Sequence, residues 1–206
     1  MRPLPRLHAV TDAAVRALPD LGVRAAAIAS GGAAVALHAR DRSATAAELA
    51  ALADRFMAHT LPAEAATIVS GRPDVARAVG AQGVQLAARD LAPRDVHAAF
   101  DGLWIGRSVH SFPEAEAAVA EGADYLVLGN VYPTASHPGR APLGLDAVRA
   151  VSSLGVAVIA IGGVTPTRIR ELRAAGAYGV AAIRALWHAG DPARAVLAFL
   201  EEWIDD

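Results

Sequence analysis

The chain of 206 residues carries a net charge of −2, and 54% of its residues are hydrophobic while 19% are charged. This balance excludes general disorder and gives no basic field for nucleic acid, and no apolar run reaches the roughly 20 residues of a membrane span. Neither cysteine nor lysine occurs, which excludes disulfides, thiolate nucleophiles, cysteine-ligated metals and Schiff-base chemistry. Residues 1–6 do not resemble a signal peptide, so we expect a cytoplasmic protein.

Short apolar runs alternate with helical segments along the whole chain. The predicted strands cover residues 7–11, 33–38, 67–70, 83–86, 103–108, 125–129, 156–161 and 179–182. The predicted helices cover residues 21–30, 45–59, 73–79, 93–100, 113–121, 145–151, 167–175 and 192–203, and a capping box of Thr45 and Glu48 opens the second. The alternation predicts one (β/α)8 TIM barrel over residues 1–206. A doubly wound open sheet is the alternative, although residues 11–14 lack its glycine-rich turn.

The stretch 156–166 organises the rest of the chain. It predicts a buried parallel strand that ends in Gly162 and Gly163, with a helix starting just beyond. Glycines and a helix N-terminus are typical of an anion site, and in such barrels phosphate binds between the loops after strands seven and eight. We therefore expect Gly162, Gly163, Ile183 and Arg184 to bind phosphate.

Polar side chains also lie at or just beyond the ends of the other predicted strands, at the same rim. They are His38, Arg40 and Arg42 at strand two, Ser70 and Arg72 at strand three, Gln85 and Asp90 at strand four, Ser108 and His110 at strand five, and Asn130, Thr134, Ser136 and His137 in the long loop 130–144. For His110 we expect a hydrogen-bonding role at the rim rather than a catalytic one. No His, Asp and Glu set has metal-ligand spacing, so a fixed structural metal is not expected.

Five segments in this order resemble the thiamine phosphate synthase superfamily, which includes the TenI-type thiazole tautomerases. The segments are 7–12, 105–110, 122–125, 129–134 and 161–166. The resemblance implies the same barrel and a small-molecule partner, a thiazole that carries a phosphorylated ethyl arm. It implies that the glycine pair and the loop after strand eight hold this phosphate.

The synthase branch implies a magnesium-dependent reaction in which pyrophosphate leaves a pyrimidine. Its pyrophosphate-binding basic positions match Arg40 and Arg42, and one of its two magnesium aspartates matches Asp90. The position of the other aspartate corresponds to the pair Ser70-Gly71, so this ligand is missing, and the position of the synthase lysine corresponds to His137.

The tautomerase branch implies proton transfer without a cofactor, and its segments are closer to residues 70–72 and 106–111. Its catalytic histidine falls at Asn130, so His137 or His38 is the expected acid/base, with Asn130 orienting the ring carboxylate. Substrate contacts are expected from Arg40, Arg42, Ser70, Gln85, Ser108, Thr134 and Ser136.

Three functions remain open. The residues at the rim favour a TenI-type tautomerase, followed by a synthase that uses Mg²⁺ and Asp90, followed by a non-catalytic or regulatory phosphate-ligand protein. No nucleic-acid or membrane partner is expected. A homo-oligomer is an option, because Trp187, Phe199 and Trp203 could form a subunit contact as well as core packing.

Overall fold

The computed structural model describes residues 3–134, 139 and 141–203. Eight parallel strands form a closed barrel, in which each strand pairs with the next along the chain and the last pairs with the first. The strands are β1 (Leu7–Val10), β2 (Val35–Ala39), β3 (Ala66–Ser70), β4 (Gly83–Leu86), β5 (Trp104–Val109), β6 (Tyr125–Gly129), β7 (Ala157–Ile161) and β8 (Gly179–Ala182). The predicted (β/α)8 barrel is confirmed, and the open-sheet alternative is wrong because β8 closes onto β1.

Helices surround the barrel. They are α1 (Ala13–Arg16), α2 (Leu21–Ala29), α3 (Ala46–Thr60), α4 (Pro73–Val79), α5 (Pro93–Ala99), α6 (Phe112–Ala120), α7 (Gly144–Ser152), α8 (Ile169–Ala174), α9 (Arg184–Trp187) and α10 (Pro192–Glu201). Two 3-10 turns, Gly32–Ala34 and Pro166–Arg168, take residues that were predicted as the start of a strand and of a helix. Alanine suits either conformation, so the first boundary was poorly marked. Within the described chain, no helix has both the length and the hydropathy to span a bilayer.

Side-chain caps determine where several helices begin. In the predicted capping box, Thr45 Oγ1 accepts from the Glu48 amide at 3.3 Å and Glu48 Oε2 accepts from the Thr45 amide at 2.8 Å. Asp12, two residues after the end of β1, caps α1 and accepts from the Val15 amide at 2.9 Å. These bonds satisfy helix amides that have no partner within the helix, and they turn the chain away from the rim of the barrel.

The barrel wall divides the core into two parts. The inner part contains Trp104 and Tyr125 together with valine, isoleucine and alanine side chains. The outer part lies between the wall and the helices, where the rings of Phe56 and Trp187 stack with centroids 5.6 Å apart. Trp187 and Phe199 are 0% and 1% exposed, so their place is in the core and the subunit contact considered for them is wrong.

The strand register places the candidate site. Gly129 of β6 pairs with Ile161 of β7, and Ile161 pairs with Ala181 of β8. The carboxyl ends of these three strands therefore lie side by side. As a result, the residues that follow them, including Asn130 and Gly162, meet at one mouth of the barrel.

Candidate functional site

A cavity of about 310 Å³ opens at the carboxyl ends of β5 to β8. This volume lies at the lower end of the range for small-ligand sites. The cavity is lined by His110, Gly129, Asn130, Thr134, residues 161–165 and residues 181–185. Gly162, Gly163, Ile183 and Arg184, the four residues predicted to bind phosphate, all line it. The structure thus brings them together, while their phosphate-binding role stays a prediction.

Four main-chain amides at the cavity are available to a ligand. They belong to Gly162, Gly163, Ile183 and Arg184, and none of them donates a hydrogen bond to any residue that the structure describes. Unpaired amides converging from two neighbouring turns favour an anion, because each can donate to one of its oxygens. The exposed Arg184 side chain adds a positive charge beside them. The arrangement is suited to a phosphate group.

The glycine pair has a packing role that the sequence analysis did not anticipate. Gly162 and Gly163 have φ values of +99° and +66°. A Cβ at Gly162 would lie 2.5 Å from Asn130 Cβ, and one at Gly163 would lie 2.6 Å from the Pro133 carbonyl oxygen. Glycine is therefore needed so that the chain after β6 can pack on this turn, as well as to leave the amides open to a ligand.

The chain after β6 is also hydrogen-bonded to the glycine turn. The Val131 amide donates to the Ile161 carbonyl at 2.8 Å, and the Tyr132 amide donates to the Gly162 carbonyl at 3.0 Å. The Arg168 guanidinium donates to the Gly163 carbonyl and lies 4.2 Å from the Tyr132 ring centroid. The turn and the start of the long loop therefore form one packed unit.

Asn130 lies in the cavity wall and is 5% exposed. Its Nδ2 donates to the Tyr132 carbonyl at 3.2 Å, while its Oδ1 has no hydrogen-bond partner in the described chain. This oxygen is itself shielded from solvent, so it is a costly buried acceptor rather than an open contact for a ligand. The predicted role of Asn130 in orienting a substrate stays a prediction.

His110 lines the cavity, and the sequence analysis gave it no catalytic role. Its Nδ1 lies 2.5 Å from the Gly129 carbonyl oxygen, and its backbone amide donates to Glu114 Oε2 at 2.8 Å. The sequence feature that could have pointed to a site role for His110 is its position just after β5, at the same rim as the glycine turn. That position alone did not show that the ring lines the same cavity as the glycine turn.

His38 lies inside the barrel and does not line the cavity. It is 1% exposed, and its Nε2 lies 2.7 Å from His8 Nδ1, while His8 Nε2 lies 2.9 Å from the Pro5 carbonyl oxygen. Burial lowers the pKa of His8 to about 4 and lowers the pKa of His38 well below its usual value, with the neighbouring His8 as a further cause. Both imidazoles are therefore neutral at pH 7, and the acid/base role predicted for His38 receives no support from this geometry.

The other expected acid/base, His137, and the expected substrate contact Ser136 lie outside the described residues. Thr134, just before them, lines the cavity.

Arg40 and Arg42 lie across the barrel mouth from the cavity, because β2 is far from β7 in the barrel order. Arg40 is half-buried, and its amide donates to Thr11 Oγ1 at 2.9 Å. Burial lowers the pKa of Arg40, and the like charge of the exposed Arg42 adds to this effect. An arginine remains protonated at pH 7 even so. Arg40 and Arg42 thus bring positive charge to this side of the mouth, which suits an anion.

Between these two parts lies a polar patch at the ends of β3 to β5. Gln85 is 7% exposed and its Nε2 donates to Ser108 Oγ at 3.0 Å, while Ser70 is its register partner on β3. Gln85 Oε1 and Ser70 Oγ have no hydrogen-bond partner among the described residues. Both atoms are shielded from solvent, so the structure does not offer them to a ligand directly, and the predicted substrate contacts of Ser70, Gln85 and Ser108 remain predictions.

Asp90 is the residue matched to a magnesium ligand. Its Oδ2 accepts from the Ala87 amide at 2.7 Å. A Cβ at Gly71 would lie 3.3 Å from the same oxygen, so a side chain at position 71 would face Asp90, but glycine supplies no ligand. The described chain contains no group of three or more His, Cys, Asp or Glu side chains that could hold a metal. Asp90 therefore supplies a single carboxylate here, and because Mg²⁺ is usually held by carboxylates together with substrate phosphates, its role as a magnesium ligand stays a prediction.

Comparison with known proteins agrees with this architecture. Residues 7–186 match the family described as thiamine monophosphate synthase. The thiamine-phosphate synthase of Salinispora arenicola is 42% identical over 205 residues, which cover 98% of each chain. That of Thermus thermophilus is 37% identical over 177 residues, covering 85% of this chain and 84% of its own.

A solved structure extends the likeness to the fold. The thiamine phosphate pyrophosphorylase of Pyrococcus furiosus superposes with a TM-score of 0.81 and 31% identity, over 96% of this chain and 94% of its own. The family match, the near full-length relatives and the shared barrel all lead to one assignment. The chain belongs to the thiamine monophosphate synthase family of barrel enzymes.

Proposed function

We propose that the chain is a thiamine-phosphate synthase, which joins a hydroxymethylpyrimidine pyrophosphate to a thiazole phosphate. The observation that carries this proposal is the 42% identity to the synthase of Salinispora arenicola over 98% of both chains. The sequence analysis favoured a tautomerase, and the names of the relatives support the synthase alternative more strongly.

In this proposal the thiazole phosphate occupies the cavity. Its phosphate accepts from the free amides of the two turns and lies beside Arg184, which places the ring towards Asn130 and His110. Charge-assisted bonds from several fixed amides orient the ring without a flexible side chain.

The pyrimidine pyrophosphate then lies across the mouth, with its charged groups at Arg40 and Arg42. The thiazole ring nitrogen forms a bond to the methylene carbon of the pyrimidine, and the carbon–oxygen bond to pyrophosphate breaks. Pyrophosphate leaves with the electron pair, so its negative charge grows during the reaction. The half-buried guanidinium of Arg40 stabilises this charge more strongly than an exposed one, because water screens it less.

The test is a turnover assay with both substrates and Mg²⁺, in which thiamine phosphate and released pyrophosphate are measured together. We expect one pyrophosphate for each thiamine phosphate. Arg40→Gln should lower kcat/KM by about 10- to 150-fold, the equivalent of one lost bond between charged groups. Arg77→Gln, an exposed arginine on α4, is the matched control and should leave turnover unchanged. No release of pyrophosphate by the folded wild-type protein would contradict the proposal.

Tautomerisation of a thiazole phosphate is the second candidate, and a specific observation favours it. Gly71 leaves Asp90 as a lone carboxylate, so the described site offers little to a metal, whereas proton transfer needs none. The experiment is to incubate the exocyclic thiazole tautomer with the protein and a chelator. Aromatisation at the same rate with and without the chelator would support this candidate. Turnover only when the pyrimidine pyrophosphate and Mg²⁺ are added would count against it.

A further inference from the structure

Among the described residues, the cavity wall contains one side chain of the kind that commonly transfers protons in enzymes, the imidazole of His110. Of the described residues that line it, only His110 and Arg184 carry an ionisable side chain. Arginine stays protonated throughout the physiological range, whereas histidine can both take up and release a proton there. His110 is therefore the one described acid/base candidate in contact with the cavity.

The surroundings of His110 determine which ring nitrogen carries the proton. The Gly129 carbonyl oxygen can only accept, so Nδ1 donates to it across 2.5 Å. In the neutral ring, Nε2 then has the free electron pair. No residue in the described chain forms a hydrogen bond to Nε2. The ring nitrogen that is able to act as a base is thus left for a ligand.

The backbone of His110 and the Gly129 carbonyl that its ring contacts are both held in place. The His110 amide donates to Glu114 Oε2 at 2.8 Å, and Glu114 belongs to the first turn of α6, which Ser111 caps. The acceptor Gly129 pairs with Ile161 in the barrel, directly before the glycine turn. The ring is therefore fixed relative to the amides at which the phosphate binds, and a base held in this way is effective in proton transfer.

We propose that His110 is a catalytic residue that carries the proton in aromatisation of a thiazole phosphate bound in this cavity. This inference rests on the second candidate function and does not require the synthase reaction. Nε2 takes the proton from the ring carbon that bears the carboxylate. The carbon–hydrogen bond breaks, its electron pair enters the ring, and the exocyclic double bond opens. The exocyclic carbon then takes the proton from the imidazolium, which leaves the ring aromatic and His110 neutral.

The test compares two histidines that bond to a main-chain carbonyl. In His110→Asn, the amide nitrogen of asparagine can donate to the Gly129 carbonyl in place of Nδ1, but the variant has no basic nitrogen. His97 lies 3.0 Å from the Gly122 carbonyl oxygen, is exposed and does not line the cavity, so His97→Asn is the matched control. The probe is the exocyclic thiazole phosphate tautomer in D2O, with NMR used to follow aromatisation and deuterium at the exocyclic carbon.

We expect His110→Asn to aromatise the probe about 100- to 10,000-fold more slowly than the wild-type protein, with the Kd for the aromatic thiazole phosphate unchanged within twofold. His97→Asn should match the wild-type rate. If His110→Asn loses binding as well, His110→Gln, which also lacks a base, is measured by the same two criteria. A full rate in either folded variant would overturn the proposal. A wild-type protein that does not aromatise the probe would overturn it together with the tautomerase candidate, and the pyrophosphate assay would still decide the synthase proposal separately.

Discussion

Replacement of Gly162 by alanine tests whether the glycine turn and the chain after β6 form one packed unit. The added Cβ would lie 2.5 Å from Asn130 Cβ and 2.8 Å from Asn130 Cα, which is far closer than packed carbon atoms approach. Asn130 or the turn must therefore move. Gly155→Ala is the matched control, because Gly155 also has a positive φ of +76° but its added Cβ meets nothing within 4 Å.

Both positions have a positive φ, and only the alanine at Gly162 meets neighbouring atoms. An alanine in the left-handed region costs about 1–2 kcal/mol, and both variants pay this cost. The clash at Gly162 adds about 1–3 kcal/mol, as for an overpacked core. For a domain of this size, the melting temperature of Gly162→Ala should fall about 2–12 °C below that of Gly155→Ala.

The same change should weaken phosphate binding. A turn that moves to relieve the clash misplaces the Gly162 and Gly163 amides, and a lost hydrogen bond to a charged group costs about 1.5–3 kcal/mol. Calorimetry should show a Kd for the thiazole phosphate about 10- to 150-fold higher in Gly162→Ala and unchanged in Gly155→Ala. Equal melting temperatures and equal Kd values in the two variants would refute the reasoning.

Three further predictions concern other parts of the barrel. Gly71→Asp places a carboxylate opposite Asp90, so calorimetric titration should show tighter Mg²⁺ binding than in the wild-type protein, and unchanged affinity would count against the geometry. Arg24 Nη1 donates to two main-chain carbonyls at the end of α9, at 3.0 and 2.8 Å, so Arg24→Ala should lower the free energy of unfolding by about 1–3 kcal/mol in urea, and no loss would contradict this role. The pKa of His8 is lowered from 6.5 to about 4, so as the pH falls the unfolded chain binds a proton at this residue before the folded chain does. The contribution of the neutral His8 to the free energy of unfolding is therefore full above pH 6.5, and about 3 kcal/mol of it is lost as the pH falls towards 4. Unfolding free energies that are equal at pH 7.5 and pH 4.5 would exclude this linkage.

Local patterns were sufficient to predict most of the barrel. The strands Gly83–Leu86, Tyr125–Gly129 and Gly179–Ala182 match their predicted bounds, because each is a short run of residues that suit a buried strand between turn residues. The capping box of Thr45 and Glu48 was also readable, since it depends on residues only three positions apart. The boundary before β2 was not, because alanine and glycine there suit several conformations.

The sequence predicts the rim on which the site residues lie, but it does not predict which side chains they contact. Gly162 and Ile183 were placed at one mouth because the end of a barrel strand determines the rim on which the next residue lies. The roles of the histidines could not be predicted in this way, because His38 and His110 both follow or end strands at that rim. Their difference arises from partners distant in sequence: His38 bonds to His8, 30 residues away, and His110 bonds to Gly129, 19 residues away.

The sequence by itself thus determined the eightfold alternation, the order of the strands and the rim at which the functional residues gather, because these follow from local periodicity and chain connectivity. Only the tertiary structure decided that Gly162 supports Asn130, that Asp90 faces a glycine, and that His110 rather than His38 borders the cavity. These facts depend on the direction of each side chain and on what the closed barrel places opposite it, which no local pattern encodes.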